Sequence, residues 1–219
     1  MTSSPLLTPI DKDDLWLLEV VAEFATPLSM LMAPDVALAL NMPRSHGLSR
    51  EALCEKLVSL SERGLIRVHH SEDEGEVIHS HVDIDRALVE RKKPFNLMGF
   101  VYGLTDKGGA SWEHYAQPDW SRFIDASCGS EPNECVIEAP SRDLAEEEYQ
   151  RHEVDGSGTQ PLPASKRGEV LVPWSATYWK VLPTGYRLRY EWVPRPQDVR
   201  RSMSLPGRVP WYSSLALDR

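Results

Sequence analysis

Apolar positions crowd the first half of this chain, and their spacing predicts most of its elements. The run LWLLEVVAEFA, from Leu15, is apolar on most sides, so it reads as a core helix. Its wet strip is expected at Glu19 and Glu23, four residues apart. Asp11 and Asp14 stand at its start, where the helix dipole favours carboxylates. Pro34 suits a first turn, so a shorter helix is expected over DVALALN. After the loop MPRSHG, Ser49 is the expected N-cap of a longer third helix. Leu53, Leu57 and Leu60 recur along it at helical spacing, and Gly64 ends it.

The stretch GLIRVHHSEDEGEVIHSH then reads as two short strands, LIRVHH and EVIHSH, around an almost purely acidic turn. DIDRALVERKKP predicts a short amphipathic helix with Ile84, Ala87 and Leu88 inward. Asp83 and Asp85 sit at its start, Arg91 to Lys93 at its end, and Pro94 stops it. GFVYGLTDKGGASWEHY predicts a strand and a helix capped by Thr105. Gly108 and Gly109 beside Lys107 match no nucleotide-binding spacing, and close packing of the helix start explains them.

From Pro118 the texture changes: eleven of the 17 prolines and five of the seven tryptophans lie at or beyond it. Two portions are therefore expected, 1–117 and 118–219. PDWSRFID closes the helical part, and a strand ECVIEA, a helix SRDLAEEEYQRHEV and a Gly/Pro loop follow. TYWKVLPTGYRLRYEW predicts a hairpin, with Pro183 starting its turn and Gly185 supplying a positive φ. In its second arm Tyr186, Leu188, Tyr190 and Trp192 face one way, opposite Arg187, Arg189 and Glu191. Period two thus assigns the aromatics to a core and the arginines to a wet face, against a single-strand nucleic-acid platform.

Charge changes the functional picture more than it changes the fold. The formal net charge of the 219 residues is −9. Residues 1–117 hold 11 Lys+Arg against 18 Asp+Glu, a net of −7, and residues 118–219 hold 13 against 15, a net of −2. Duplex DNA binding draws its affinity from neutralised phosphates, so this balance argues against it. No apolar run reaches membrane-spanning length. The opening MTSSPLLTPIDKDD lacks signal-peptide regions, and the expected compartment is the cytoplasm. Cys54, Cys128 and Cys135, odd in number and without a Cys-x-x-Cys pair, point to reduced thiols and to no thiolate zinc site.

Two helices, a longer third helix ending L..L.ERGLI, and a later strand running into YGLT..GG..WE resemble the winged helix-turn-helix superfamily, in particular regulators of the MarR and PadR type. The resemblance covers about Asp11 to Tyr115, and its most telling pieces are Gly64-Leu65-Ile66 and Leu104-Thr105 with Gly108. The sequence departs from that family at one point: the family usually joins its two wing strands by a few residues, whereas here an insertion of about 30 separates His70 from Phe100, far longer than ordinary hairpin loops. The resemblance implies that bases would be read by Arg44, Ser45, His46, Ser49 and Arg50, at and before the start of the third helix. On that helix, however, Arg50, Lys56 and Arg63 are offset by Glu51, Glu55 and Glu62.

The expected architecture is therefore α+β. It has an N-terminal winged helix-turn-helix core with an inserted wing and a C-terminal portion built on an antiparallel sheet. The leading functional expectation is a non-catalytic protein that binds a basic protein partner through Glu72, Asp73, Glu74 and Glu76. An adaptor, an accessory regulator or a toxin-neutralising protein all fit. The competing expectation is a DNA-binding regulator, acting as a homodimer. His69, His70, His79 and His81 offer imidazoles on facing arms, but in no recognised metal spacing, so no metal and no cofactor is expected. No nucleophile, base and orienting group stand together in a known catalytic motif, and enzyme is the class with least support. The tail holds Arg195, Arg200, Arg201, Arg208 and Arg219 against Asp198 and Asp218, a modestly basic arm or a docking peptide.

Overall fold

Asp11 starts the fold by accepting the backbone N–H groups of Asp13 and Asp14, and so caps α1 (Lys12–Val20). The computed structural model describes residues 9–90, 99–129, 133–155, 159–194 and 210–212. The protein is α+β with antiparallel sheets, and it divides into two units. One runs through Gln117 and takes in Thr177–Trp179; the other holds Pro118–Ala176 and resumes at Lys180. The sequence boundary at residue 117 does not anticipate that three-residue excursion.

In the first unit α1 is buried on every side from Asp14 onward and stops at Val20. Glu19, expected on a wet strip, is instead 4% exposed, because a helix enclosed by its neighbours leaves no strip to solvate. β1 (Thr26–Pro27) and a 3-10 turn lead to α2 (Val36–Ala39), capped by Asp35 and only four residues long. α3 (Arg50–Glu62) is capped by Ser49 and buries Leu53, Leu57 and Leu60 completely. Gly64 follows at φ 68°, and the Leu65 N–H reaches back to the Leu60 carbonyl at 2.9 Å, closing the helix as expected.

β2 (Ile66–His70) leads into a long connection, the insertion of the expected wing, that carries α4 (His81–Val89), capped by Ser80, with Ile84, Ala87 and Leu88 inward. The expected end of that helix, Arg91 to Pro94, lies outside the described residues. β3 (Phe100–Leu104) and α5 (Asp106–Ala116), capped by Thr105, complete the unit. The sheet order is β1-β3-β2, with Val68 opposite Tyr102 and His70 opposite Phe100.

The expected pairing of LIRVHH with EVIHSH does not form. Only a single bridge joins His69 to Val77, and the partner of β2 is β3. Val101, Tyr102 and Leu104 are buried in that pairing, whereas the alternative strand offers only the half-buried Val77 and Ile78. Gly108 fits as expected: a Cβ there would lie 1.8 Å from the Leu65 carbonyl oxygen.

The second unit is built around one long strand. β4 (Asp125–Cys128) and β5 (Glu134–Ala139) pair antiparallel, and α6 (Arg142–Asp155) follows. β6 (Thr159–Pro161) and β7 (Arg167–Leu171) come next, then the short pair β8 (Trp174–Ser175) and β9 (Val181–Leu182). β10 (Gly185–Pro194) lies between β5 on one edge and β7 and β6 on the other. The predicted hairpin closed by Pro183 and Gly185 is thus absent, since both edges of β10 are taken by other strands. Gly185 keeps an ordinary φ; it is needed because the Trp174 ring lies 2.4 Å from where its Cβ would be. Alternation along β10 does hold: Leu188 and Tyr190 are buried with Cys135, Ile137, Ala145 and Tyr149.

A further difference concerns the cysteines. Cys128 and Cys135 stand directly opposite each other on β4 and β5 and form a disulfide, where three reduced thiols were expected. Strand register brings these two together, which an odd total does not prevent. Cys54 on α3 remains free and buried.

Candidate functional site

The third helix presents its basic residues already engaged. Arg50 forms a two-pronged pair with Asp85 of α4, Nε to Oδ1 and Nη2 to Oδ2, both at 2.6 Å. That bond holds the Asp85 carboxyl below its usual range and raises Arg50. Lys56 pairs with Asp11 and, at 3.2 Å, with Asp14. Arg63 pairs with Asp14 at 2.8 Å and donates to the Pro9 carbonyl at 2.7 Å. The carboxylates that hold them are not Glu51, Glu55 and Glu62, whose charges offset theirs along the same helix. They are aspartates from the start of α1 and from the insertion. Asp14, its side chain 5% exposed, is the hub.

The other base-reading candidates hold loop structure in place. His46 sits edge-on to Trp16, at 5.1 Å between ring centres. Its Nδ1 accepts the Leu48 N–H at 2.9 Å, so Nε2 is the protonated nitrogen and donates to the Leu31 carbonyl at 3.0 Å. The carbonyl of Arg44 accepts from the Trp16 indole at 3.0 Å. Ser45 Oγ accepts the Gly47 N–H at 3.4 Å, and Ser49 Oγ the Ala52 N–H at 3.2 Å.

The acidic segment behaves differently. Glu72, Asp73, Glu74 and Glu76 are all exposed. Asp73 accepts the Gly75 N–H at 2.9 Å and shapes the turn, while Arg67 donates to the main-chain carbonyl of Glu74. Among the described residues, no cation lies in ion-pair range of the Glu72, Glu74 or Glu76 carboxylates. Val82 and Val89 of α4, in the same insertion, are 64% and 44% exposed.

The histidines do not converge. His70 lies edge-on to Phe100 and accepts the Glu72 N–H at 3.3 Å. His79 Nδ1 meets Ser61 Oγ at 3.1 Å, and His81 begins α4. Burial, and then the nearby Arg67, lower the His69 pKa. Among the described residues, the grouping with metal-ligand geometry is elsewhere: Cys128, Cys135 and His152, with donor atoms within 4.8 Å of one another. The sequence signal for it was two cysteines flanking the polar stretch Gly-Ser-Glu-Pro-Asn-Glu.

In the second unit the arginines of β10 are also neutralised. Arg187 Nε bonds Glu138 at 2.6 Å and its Nη1 bonds Glu169 at 3.0 Å, while Arg189 bonds Glu134 at 3.3 Å. The five tail arginines, with Asp198 and Asp218, lie outside the described residues. No family model, no curated protein and no solved structure matches this chain.

Proposed function

We propose that the first unit is a winged helix-turn-helix core adapted to bind protein rather than DNA, and that the chain is a non-catalytic cytoplasmic adaptor, accessory regulator or toxin-neutralising protein. Three helices, β2, an insertion and β3 in a three-stranded antiparallel sheet support the fold assignment. One contrast carries the functional reading. Every basic residue of α3 is held by a carboxylate of its own unit, while the carboxylates of Glu72, Glu74 and Glu76 stand exposed and without a cation among the described residues. A surface of that sign fits a basic protein partner. Exposed Val82 and Val89 add apolar area of the kind that interfaces bury.

The test is comparative co-purification from the native cell. The full chain is expected to retain a basic partner, and a variant with Glu72, Asp73, Glu74 and Glu76 all changed to Lys is expected to lose it. Retention of the same partner by the folded variant would remove the insertion as the contact. Salt dependence of capture gives a second readout, since a charge-steered contact weakens as salt is added.

A further inference from the structure

Four elements of the second unit bring reactive side chains to one place. Cys128 ends β4 and is exposed; Cys135 lies opposite it on β5 and is 1% exposed. Tyr190 of β10 is the register partner of Cys135 on its other side. His152, from the last turn of α6, places a ring nitrogen within 4.8 Å of both sulfurs. Its Nε2 lies 3.2 Å from Glu148, one turn earlier and 3% exposed, and its Nδ1 bonds the Tyr190 hydroxyl.

The geometry points to a redox-gated metal site: a disulfide when oxidised and, when reduced, two thiolates and one imidazole that bind a soft divalent ion such as zinc. Glu148 accepts from Nε2–H, which fixes the tautomer; the Nδ1 lone pair, which accepts from the Tyr190 hydroxyl in the oxidised form, passes to the metal when the Tyr190 side chain shifts away and that hydrogen bond breaks. A buried carboxylate behind a ligating imidazole is the usual outer support of such sites. Two sulfurs and one nitrogen are the donors that thiophilic divalent ions prefer. They leave a fourth position open to water.

The chemistry closes with an external dithiol as the reductant. Its first thiolate attacks the Sγ of Cys128, the exposed residue of the pair, breaks the S–S bond and forms a mixed disulfide, and Cys135 leaves as a thiolate that takes up a proton. The second thiol of the reductant, deprotonated, attacks its own sulfur in that mixed disulfide. It leaves as a cyclic disulfide, and Cys128 is released and protonated. The protein has gained two electrons and two protons. Metal binding then releases both thiol protons as two M–S bonds and one M–N bond form. In a reducing compartment the dithiol form prevails and the site is available; under oxidation it closes.

Cobalt(II) and zinc titrations of the full chain test this. Protein reduced with a dithiol, freed of reductant without air, is expected to take up one cobalt ion with a thiolate-to-cobalt charge-transfer band and tetrahedral d–d bands. Zinc is expected to displace it. The same preparation kept oxidised is expected to show neither, and it serves as a control with no mutation. His152→Ala is expected to lower the affinity by at least the roughly 10- to 100-fold expected for Glu148→Gln. Cys54→Ser is expected to change nothing, and circular dichroism checks that each variant is folded. A reduced protein that binds cobalt no better than the oxidised one would overturn the proposal. So would charge-transfer bands unchanged in both His152→Ala and Glu148→Gln.

Discussion

Asp85 shows how one side chain sets what a neighbouring helix can offer. Arg50, expected from the sequence among the base-reading residues, has its fork filled by a carboxylate. The hydrogen bonds from Arg50 hold the folded carboxyl below its unfolded value. Stability drawn from the pair is therefore complete above the unfolded value, about pH 4, and fades as pH falls through the folded one. The expected outcome is that the urea midpoint of the native chain falls more steeply with acid than that of Asp85→Asn. Parallel pH profiles for the two would show that the pair contributes nothing. The same substitution leaves the Arg50 side chain without its carboxylate, so it also tests what α3 does with a freed cation.

Elements register the same logic through packing. α5 can start where it does only because Gly108 lets it approach the Leu65 carbonyl, where a Cβ would stand 1.8 Å from the oxygen. Gly108→Ala is expected to cost about 2 kcal/mol, read as a lower urea midpoint with an unchanged slope. A neutral result would mean that the helix start shifts freely. Both ends of α3 were legible in the sequence because the signals are local: a Ser N-cap, leucines at helical spacing and a glycine at positive φ. The pairing of β2 was not legible. It depends on which of two distant segments buries more apolar area, and local propensity does not rank them. For the same reason β10 read as one arm of a hairpin, although its partners β5, β6 and β7 all precede it in the chain. The disulfide and its histidine were missed because strand register and a helix turn bring them together.

At the scale of the whole molecule, charge decides. The net charge is −9, and the described basic residues of α3 and β10 are each bonded to carboxylates within their own unit. Phosphate neutralisation needs cations that can exchange a counterion for DNA, and these have already exchanged theirs for aspartate and glutamate. Exposed carboxylates in the insertion oppose a nucleic-acid backbone further. The most direct measurement is fluorescence anisotropy of a generic labelled duplex titrated with the full chain at about 50 mM salt, where phosphate contacts count most. The account predicts no binding at micromolar protein. Micromolar binding that falls steeply as salt is raised would contradict it.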